Sequence, residues 1–180
     1  MPAVSSLPFR ADRYPIGDTG DGRYLQLVAM SEARAERLSP AIATVGPWAH
    51  YNFSAATLVA FLKGEMGESH RFEILCDQQS AGAVVIRYPW LAGPYLQMLA
   101  VLPEFQRLNI GARALAWYEA EASRTPARQV WLCVTAANAD AQRFYRRHGY
   151  ELTATIDGLM RDGDDELLMR KRLATAPPPS

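Results

Sequence analysis

Apolar and polar positions alternate along this chain in two rhythms, one with a period of two and one near 3.6. Each change of rhythm predicts a change of element. Residues 23–28 predict a first strand, and Ser31 suits the cap of a helix running through Arg37, with Pro40 interrupting it. Ser54 suits a second cap, and Leu58, Val59, Phe61 and Leu62 form the apolar face of a helix that Gly64 stops. Strands at 71–77 and 82–88 flank the turn Gln78-Gln79-Ser80 and predict a hairpin. A loop at 89–94 leads into an apolar strand at 95–101. A helix beginning near Ile110, a strand at 128–135 and a helix from Ala139 follow. A strand at 150–156, a turn at Asp157-Gly158 and a last strand at about 166–173 close the order. This alternation predicts an α/β (α+β) fold, with helices on both faces of a mixed sheet. Residues 1–22, rich in Pro, Gly and Asp, predict an irregular arm with Tyr14 and Ile16 as docking points. Residues 23–173 predict a single domain, and 174–180, with three consecutive prolines, a disordered tail.

The segment 99–150 carries the most chemistry. Between the apolar run at 96–101 and the helix near Ile110 lies Gln106-Arg107-Leu108-Asn109-Ile110-Gly111-Ala112. A strand-to-helix turn leaves the first helical N–H groups without internal partners, and the helix dipole adds positive charge there. A diphosphate suits such a site, because backbone donors surround its oxygens. Gly111 permits close approach, and Asn109 tolerates a left-handed backbone. The same residues also suit a plain Asn-containing turn that caps an amphipathic helix, and the turn alone does not separate the two.

Further on, Val130, Leu132 and Val134 alternate with Trp131, Cys133 and Thr135, so both faces of that strand are largely apolar, as in a buried strand. Asn138 suits the N-cap of the next helix. Ala141, Phe144, Tyr145 and His148 share one helical face, and Gly149 ends it.

Taken together, the turn at 106–112 and the run Asn138-x-x-Ala141-x-x-Phe144-Tyr145 resemble the acyl-CoA-binding core of the GCN5-related N-acetyltransferase (GNAT) family, in order and in separation. Where the family usually has Gln/Arg-x-x-Gly-x-Gly/Ala, this chain has Asn109 at the first glycine and keeps Gly111. The resemblance implies a mostly antiparallel mixed sheet whose central strands splay to admit acetyl-CoA. It implies that the backbone of Leu99, Ala100 and Val101 aligns the pantetheine arm as an added strand would. By the same resemblance Gln106, Arg107, Leu108, Asn109, Ile110, Gly111 and Ala112 hold the diphosphate. Asn138, Ala141, Phe144, Tyr145 and Arg147 complete the cofactor site, with Asn138 on the pantetheine and Tyr145 beside the thioester sulfur as its proton donor.

Composition narrows the partners. Among 180 residues, 19 basic and 19 acidic side chains give a formal net charge of zero, which leaves no whole-chain footprint for nucleic acid. The local group Arg143, Arg146 and Arg147 suits either a solvated face near a helix C-terminus or the phosphates of CoA. Cys76 and Cys133 lie in apolar segments and predict buried reduced thiols, with no metal-binding spacing. No leader pattern and no membrane-length apolar run occur, so the cytoplasm is the expected compartment and no membrane partner is expected. A monomer or homodimer is expected.

The expected reaction is direct transfer of an acetyl group to a primary amine of a small molecule or a protein. The alternative is a non-catalytic acyl-CoA-binding sensor. Many family members carry Glu four residues ahead of the position of Val101, where this chain has Gln97, which accepts no proton near neutral pH. Glu104 lies near the turn, where a Pro-Glu loop start is more often solvated than catalytic; His50 and His70 suit the chemistry, but the pattern fixes neither as a base. The aromatic segments 48–53 and 88–91 carry little charge; if they line the acceptor pocket, they suit a flat or apolar acceptor.

Overall fold

The computed structural model describes residues 7–174. Eight strands form one sheet in the order β1-β2-β3-β4-β5-β6-β8-β7. They are β1 (Arg13–Asp18), β2 (Tyr24–Ala29), β3 (His70–Cys76), β4 (Gln79–Trp90), β5 (Gly93–Val101), β6 (Gln129–Thr135), β7 (Glu151–Arg161) and β8 (Asp164–Arg172). Helices α1 (Glu32–Ile42) and α2 (Ala55–Lys63) lie between β2 and β3. Helix α3 (Ile110–Ala122) joins β5 to β6, and α4 (Ala139–Arg147) joins β6 to β7. Every neighbouring pair is antiparallel except β5 and β6. This is the mixed, mostly antiparallel sheet that was expected.

Six consecutive buried residues, 81–86 in β4, require cover on both faces of the sheet, and the helices supply it. One face carries an aromatic cluster in which Trp117 of α3 packs edge-on against Phe72, with ring centroids 5.3 Å apart, and against Tyr14 at 5.0 Å. Ser31 and Ser54 cap α1 and α2, each accepting a backbone N–H two or three positions into its helix.

Five local expectations are corrected. The stretch taken as an irregular arm contains β1: Tyr14 and Ile16 are both buried, and the strand pairs along β2 from Arg13 to Asp18 with Ile16 at a bulge. Helix α1 continues through the exposed Pro40 to Ile42, with the burial of Leu38, Ser39 and Ile42 on its inner face outweighing the backbone bond that proline cannot make. The β3–β4 turn is Asp77-Gln78, both at positive φ, so β4 begins at Gln79. Likewise β4 and β5 extend through the expected loop to a two-residue turn at Leu91-Ala92, where Trp90 stacks on Tyr95 at 4.6 Å. The β7–β8 turn moves from Asp157-Gly158 to Asp162-Gly163 for the same reason, that cross-strand pairing prolongs the hairpin to Arg161 and Asp164. The expected tail lies, beyond Ala174, outside the described residues, as do residues 1–6 of the arm.

Candidate active site

The parallel pair β5–β6 holds together over only two residue pairs, Tyr95 with Trp131 and Leu96 with Leu132, and then opens. Two features cause the opening. Gln97 is an extra residue in β5, since Val85 pairs with Met98 and Ile86 with Leu96, and such a bulge bends the strand. On the other side, β6 stays fully paired with β8 over seven residues and does not follow β5. The buried Tyr118 of α3 clasps the closed end: its hydroxyl donates to Pro94 O at 2.7 Å, with Trp131 O at 3.1 Å. The splay is therefore fixed, and it opens a groove of about 570 Å³.

One end of the groove is the start of α3. Asn109 stands at φ 66°, in the left-handed region expected of it, and turns the chain into the helix without a side-chain cap. Arg107 also has positive φ. Gln106 donates from Nε2 to Val101 O at 3.1 Å, tying the turn to the end of β5. Gln106, Arg107, Asn109, Ile110, Gly111 and Ala112 all line the groove, as do Leu99, Ala100 and Val101. A Cβ placed on Gly111 would meet the Phe144 ring at 3.5 Å, an ordinary contact, so the protein itself does not demand glycine there.

The opposite wall is α4. Asn138 accepts from Ala141 N at 3.1 Å and fixes the start of that helix. Asn138, Ala141, Phe144 and Tyr145 line the groove. Tyr145 is buried, and burial holds its phenol above the ordinary range, so it stays protonated at neutral pH. Leu108 and Arg147 are the two cofactor-site residues of the sequence pattern that do not line the groove; Arg147 is exposed.

The remaining wall comes from residues the motifs did not indicate. From the segment between α1 and α2, Trp48, Tyr51 and Phe53 face the groove, whereas Tyr88, Trp90 and Leu91 do not. Cys133 and Thr135 of β6, Leu159 and Met160 of β7 and Glu166 of β8 complete it. Both cysteines are free thiols; Cys76 is buried, but Cys133 is only partly so and reaches the groove. Tyr51 donates to Glu166 Oε1 at 2.5 Å, and its hydroxyl lies 3.3 Å from Thr135 Oγ1. Burial, and next the Glu166 carboxylate, push the Tyr51 phenol up to about 12. The sequence held no distinct signal for Glu166, which is the last of the acidic run Asp164-Asp165-Glu166 before the apolar Leu167-Leu168-Met169.

Three polar candidates lie elsewhere. His70 packs against Phe9 outside the groove, and His50 pairs with Asp164 at 3.3 Å on the surface. Glu104 is exposed in the turn after β5. Gln97 does line the groove, and its Oε1 accepts from the Ser69 hydroxyl.

A strand splay, a helix N-terminus and a buried phenol thus meet around one groove. The sequence profile of the acetyltransferase (GNAT) family matches residues 30–150, and the chain belongs to that family. It is an acetyltransferase with acetyl-CoA as cosubstrate.

Solved structures agree on the fold. The acetyl transferase of Salmonella typhimurium that modifies the N-terminal serine of ribosomal protein L7/L12 superposes with a TM-score of 0.71 at 17% identity, covering 90% of this chain and 99% of that one. Arabidopsis thaliana Naa50, solved with the bisubstrate analogue CoA-Ac-MVNAL, gives 0.61 at 21% identity over 82% and 97%. Nourseothricin acetyltransferase gives 0.55 at 28% identity over 59% of this chain and 66% of that enzyme. No curated protein matches the sequence. Among the described residues no helix is long and apolar enough to cross a membrane.

Proposed function

We propose that this chain moves the acetyl group of acetyl-CoA directly to a primary amine of a small molecule or protein, acting through one domain spanning residues 23–173 with β1 added at its edge. The observation that carries this reading is the convergence of the β5 splay, the α3 start and Tyr145 on one groove. Bound acetyl-CoA supplies an electrophilic carbonyl and a thiolate leaving group. The chain supplies the rest. Uncommitted N–H groups at the start of α3 suit the diphosphate, with Gly111 leaving room for it. Backbone groups of Leu99, Ala100 and Val101, past the point where β6 leaves β5, suit the pantetheine amides. The Tyr145 phenol, kept protonated by burial, donates to the departing sulfur.

Neighbours with this fold include one that modifies the N-terminal serine of a ribosomal protein and a nourseothricin acetyltransferase, so fold alone leaves the acceptor open. The aromatic wall of Trp48, Tyr51 and Phe53 favours an amine carried on a flat or apolar body. Incubation with acetyl-CoA and a panel of aryl, alkyl and peptide amines, followed as free thiol, tests the reading. Transfer to at least one class is expected, and hydrolysis alone across the whole panel overturns it. Gly111→Val tests the diphosphate placement, because the added methyls project into the groove while the protein tolerates the Cβ. CoA affinity should fall roughly tenfold, or about 1.4 kcal/mol. Unchanged affinity by calorimetry would move the phosphates elsewhere.

A further inference from the structure

Among the described residues three carboxylates are buried: Glu73, Glu121 and Glu166. Two of them are neutralised. Glu73 takes ion pairs from Arg34 and Arg37 and a hydrogen bond from Ser80 at 2.5 Å. Glu121 pairs with Arg124 at 2.6 Å and accepts from Phe9 N at 2.8 Å. Glu166 differs. Its partner is the neutral Tyr51 hydroxyl on Oε1, and among the described residues no basic side chain stands within ion-pair distance. A buried carboxylate without a cation is costly, and a hydroxyl offsets that cost only in part. Unlike the other two, Glu166 faces the groove. Its second oxygen is left for a donor arriving from there.

Resting on the transfer reading above, we propose that Glu166 is a catalytic residue: it receives the acceptor's reacting amine nitrogen and takes up its proton, with Tyr51 holding the carboxylate in position. The carboxylate that the resemblance places on β5 thus stands instead on β8, in the same groove that Gln97 lines. In the step, the nitrogen lone pair forms the N–C bond, and the C–S pair leaves with sulfur. The surplus nitrogen proton goes to the Glu166 carboxylate, and sulfur takes the Tyr145 phenolic proton. Exchange with water returns one proton from Glu166 and restores one to Tyr145, so the balance closes. Trp48, Phe53, Leu159 and Met160 surround the approach with apolar surface, which selects an amine on a flat or apolar arm.

The ionisable groups around Glu166 are Tyr51 and, next to it, His50 from the α1–α2 segment, Tyr95 from β5 and Cys133 from β6. Asp164 lies on its own strand, paired with Arg161 of β7. Only His50 among the neighbours ordinarily titrates near neutrality, and it is already paired with Asp164.

The test uses Glu166→Gln, Glu166→Asp, Tyr51→Phe and His50→Gln. Benzylamine titrated calorimetrically into the CoA-saturated protein should bind the parent roughly tenfold or more tightly than E166Q, with CoA affinity unchanged. With an arylamine, which stays unprotonated at neutral pH, the parent's transfer rate should fall as pH drops through the carboxylate range. E166Q should be roughly 10²-fold slower and flat there, E166D should retain the pH dependence, and H50Q should follow the parent. Should E166Q lose CoA binding through misfolding, Tyr51→Phe is read in its place and should weaken benzylamine binding. Parent-like amine affinity in E166Q, or a pH limb abolished by H50Q, overturns the proposal. A parent that binds benzylamine through Glu166 but transfers to no amine would instead overturn the transfer reading.

Discussion

Tyr145 sits in the groove with its hydroxyl as the only polar atom of a buried ring, and burial alone raises its proton affinity. Burial raises the proton affinity of a thiolate departing into the same groove for the same reason, so the phenol stays protonated until that charge develops beside it. Tyr145→Phe keeps the ring and its packing against Phe144 and Tyr150, with centroids at 5.2 and 5.8 Å. Turnover should fall roughly 10²-fold with CoA affinity nearly unchanged, as steady-state kinetics beside calorimetry would reveal. Parent-like turnover would leave Tyr145 a packing residue. At this scale the sequence was informative where a local pattern marks a residue: Asn109 and Asn138 occupy the backbone positions their side chains suit. Glu166 was hidden because its meaning depends on the missing arginine partner, which is a fact about neighbours in space.

At the scale of elements, the junction of β5, β6 and α3 decides whether the groove exists. Tyr118 bridges two strands 37 positions apart by reaching Pro94 O and Trp131 O. Tyr118→Phe strands buried backbone acceptors and should cost about 1–3 kcal/mol in denaturant unfolding. Because the clasp lies where the splay begins, CoA affinity should fall as well. A stability loss with parent-like CoA affinity would show that the bulge at Gln97 alone holds the strands apart. The strand and helix cores were legible in the sequence, but three turns were placed wrongly. Asp157-Gly158 does interrupt the ladder, which skips residues 157–160, but pairing resumes between Arg161 and Asp164, so the chain reverses only at Asp162-Gly163. Pro40 was likewise read as a break from local chemistry, but burial of Leu38 and Ile42 carries the helix past it.

Across the whole molecule, pH enters stability through His70. Burial, and then the charges of Arg10 and Arg71, hold its imidazole below the usual value of 6.5. The folded state therefore binds fewer protons than the unfolded chain once pH drops below that value. His70 costs nothing at pH 7.5, and its penalty grows as pH falls from about 6.5 toward the folded pKa. His70→Phe keeps a ring against Phe9 and removes the titration. The melting temperature of the parent relative to this variant should drop between pH 7.5 and pH 5.5; a constant gap would place His70 in solvent. What the sequence by itself determined was local: the rhythm of the elements, the caps, the left-handed Asn109 and the two motifs that name the family, all encoded within a few residues of one another. What tertiary structure alone decided was the joining of β1 to the sheet, the width of the β5–β6 splay and the meeting of Tyr51, Thr135 and Glu166 in one wall. Those depend on pairing and burial between separate segments, from the β1–β2 ladder to Tyr51 and Glu166, 115 positions apart, and no local pattern carries that information.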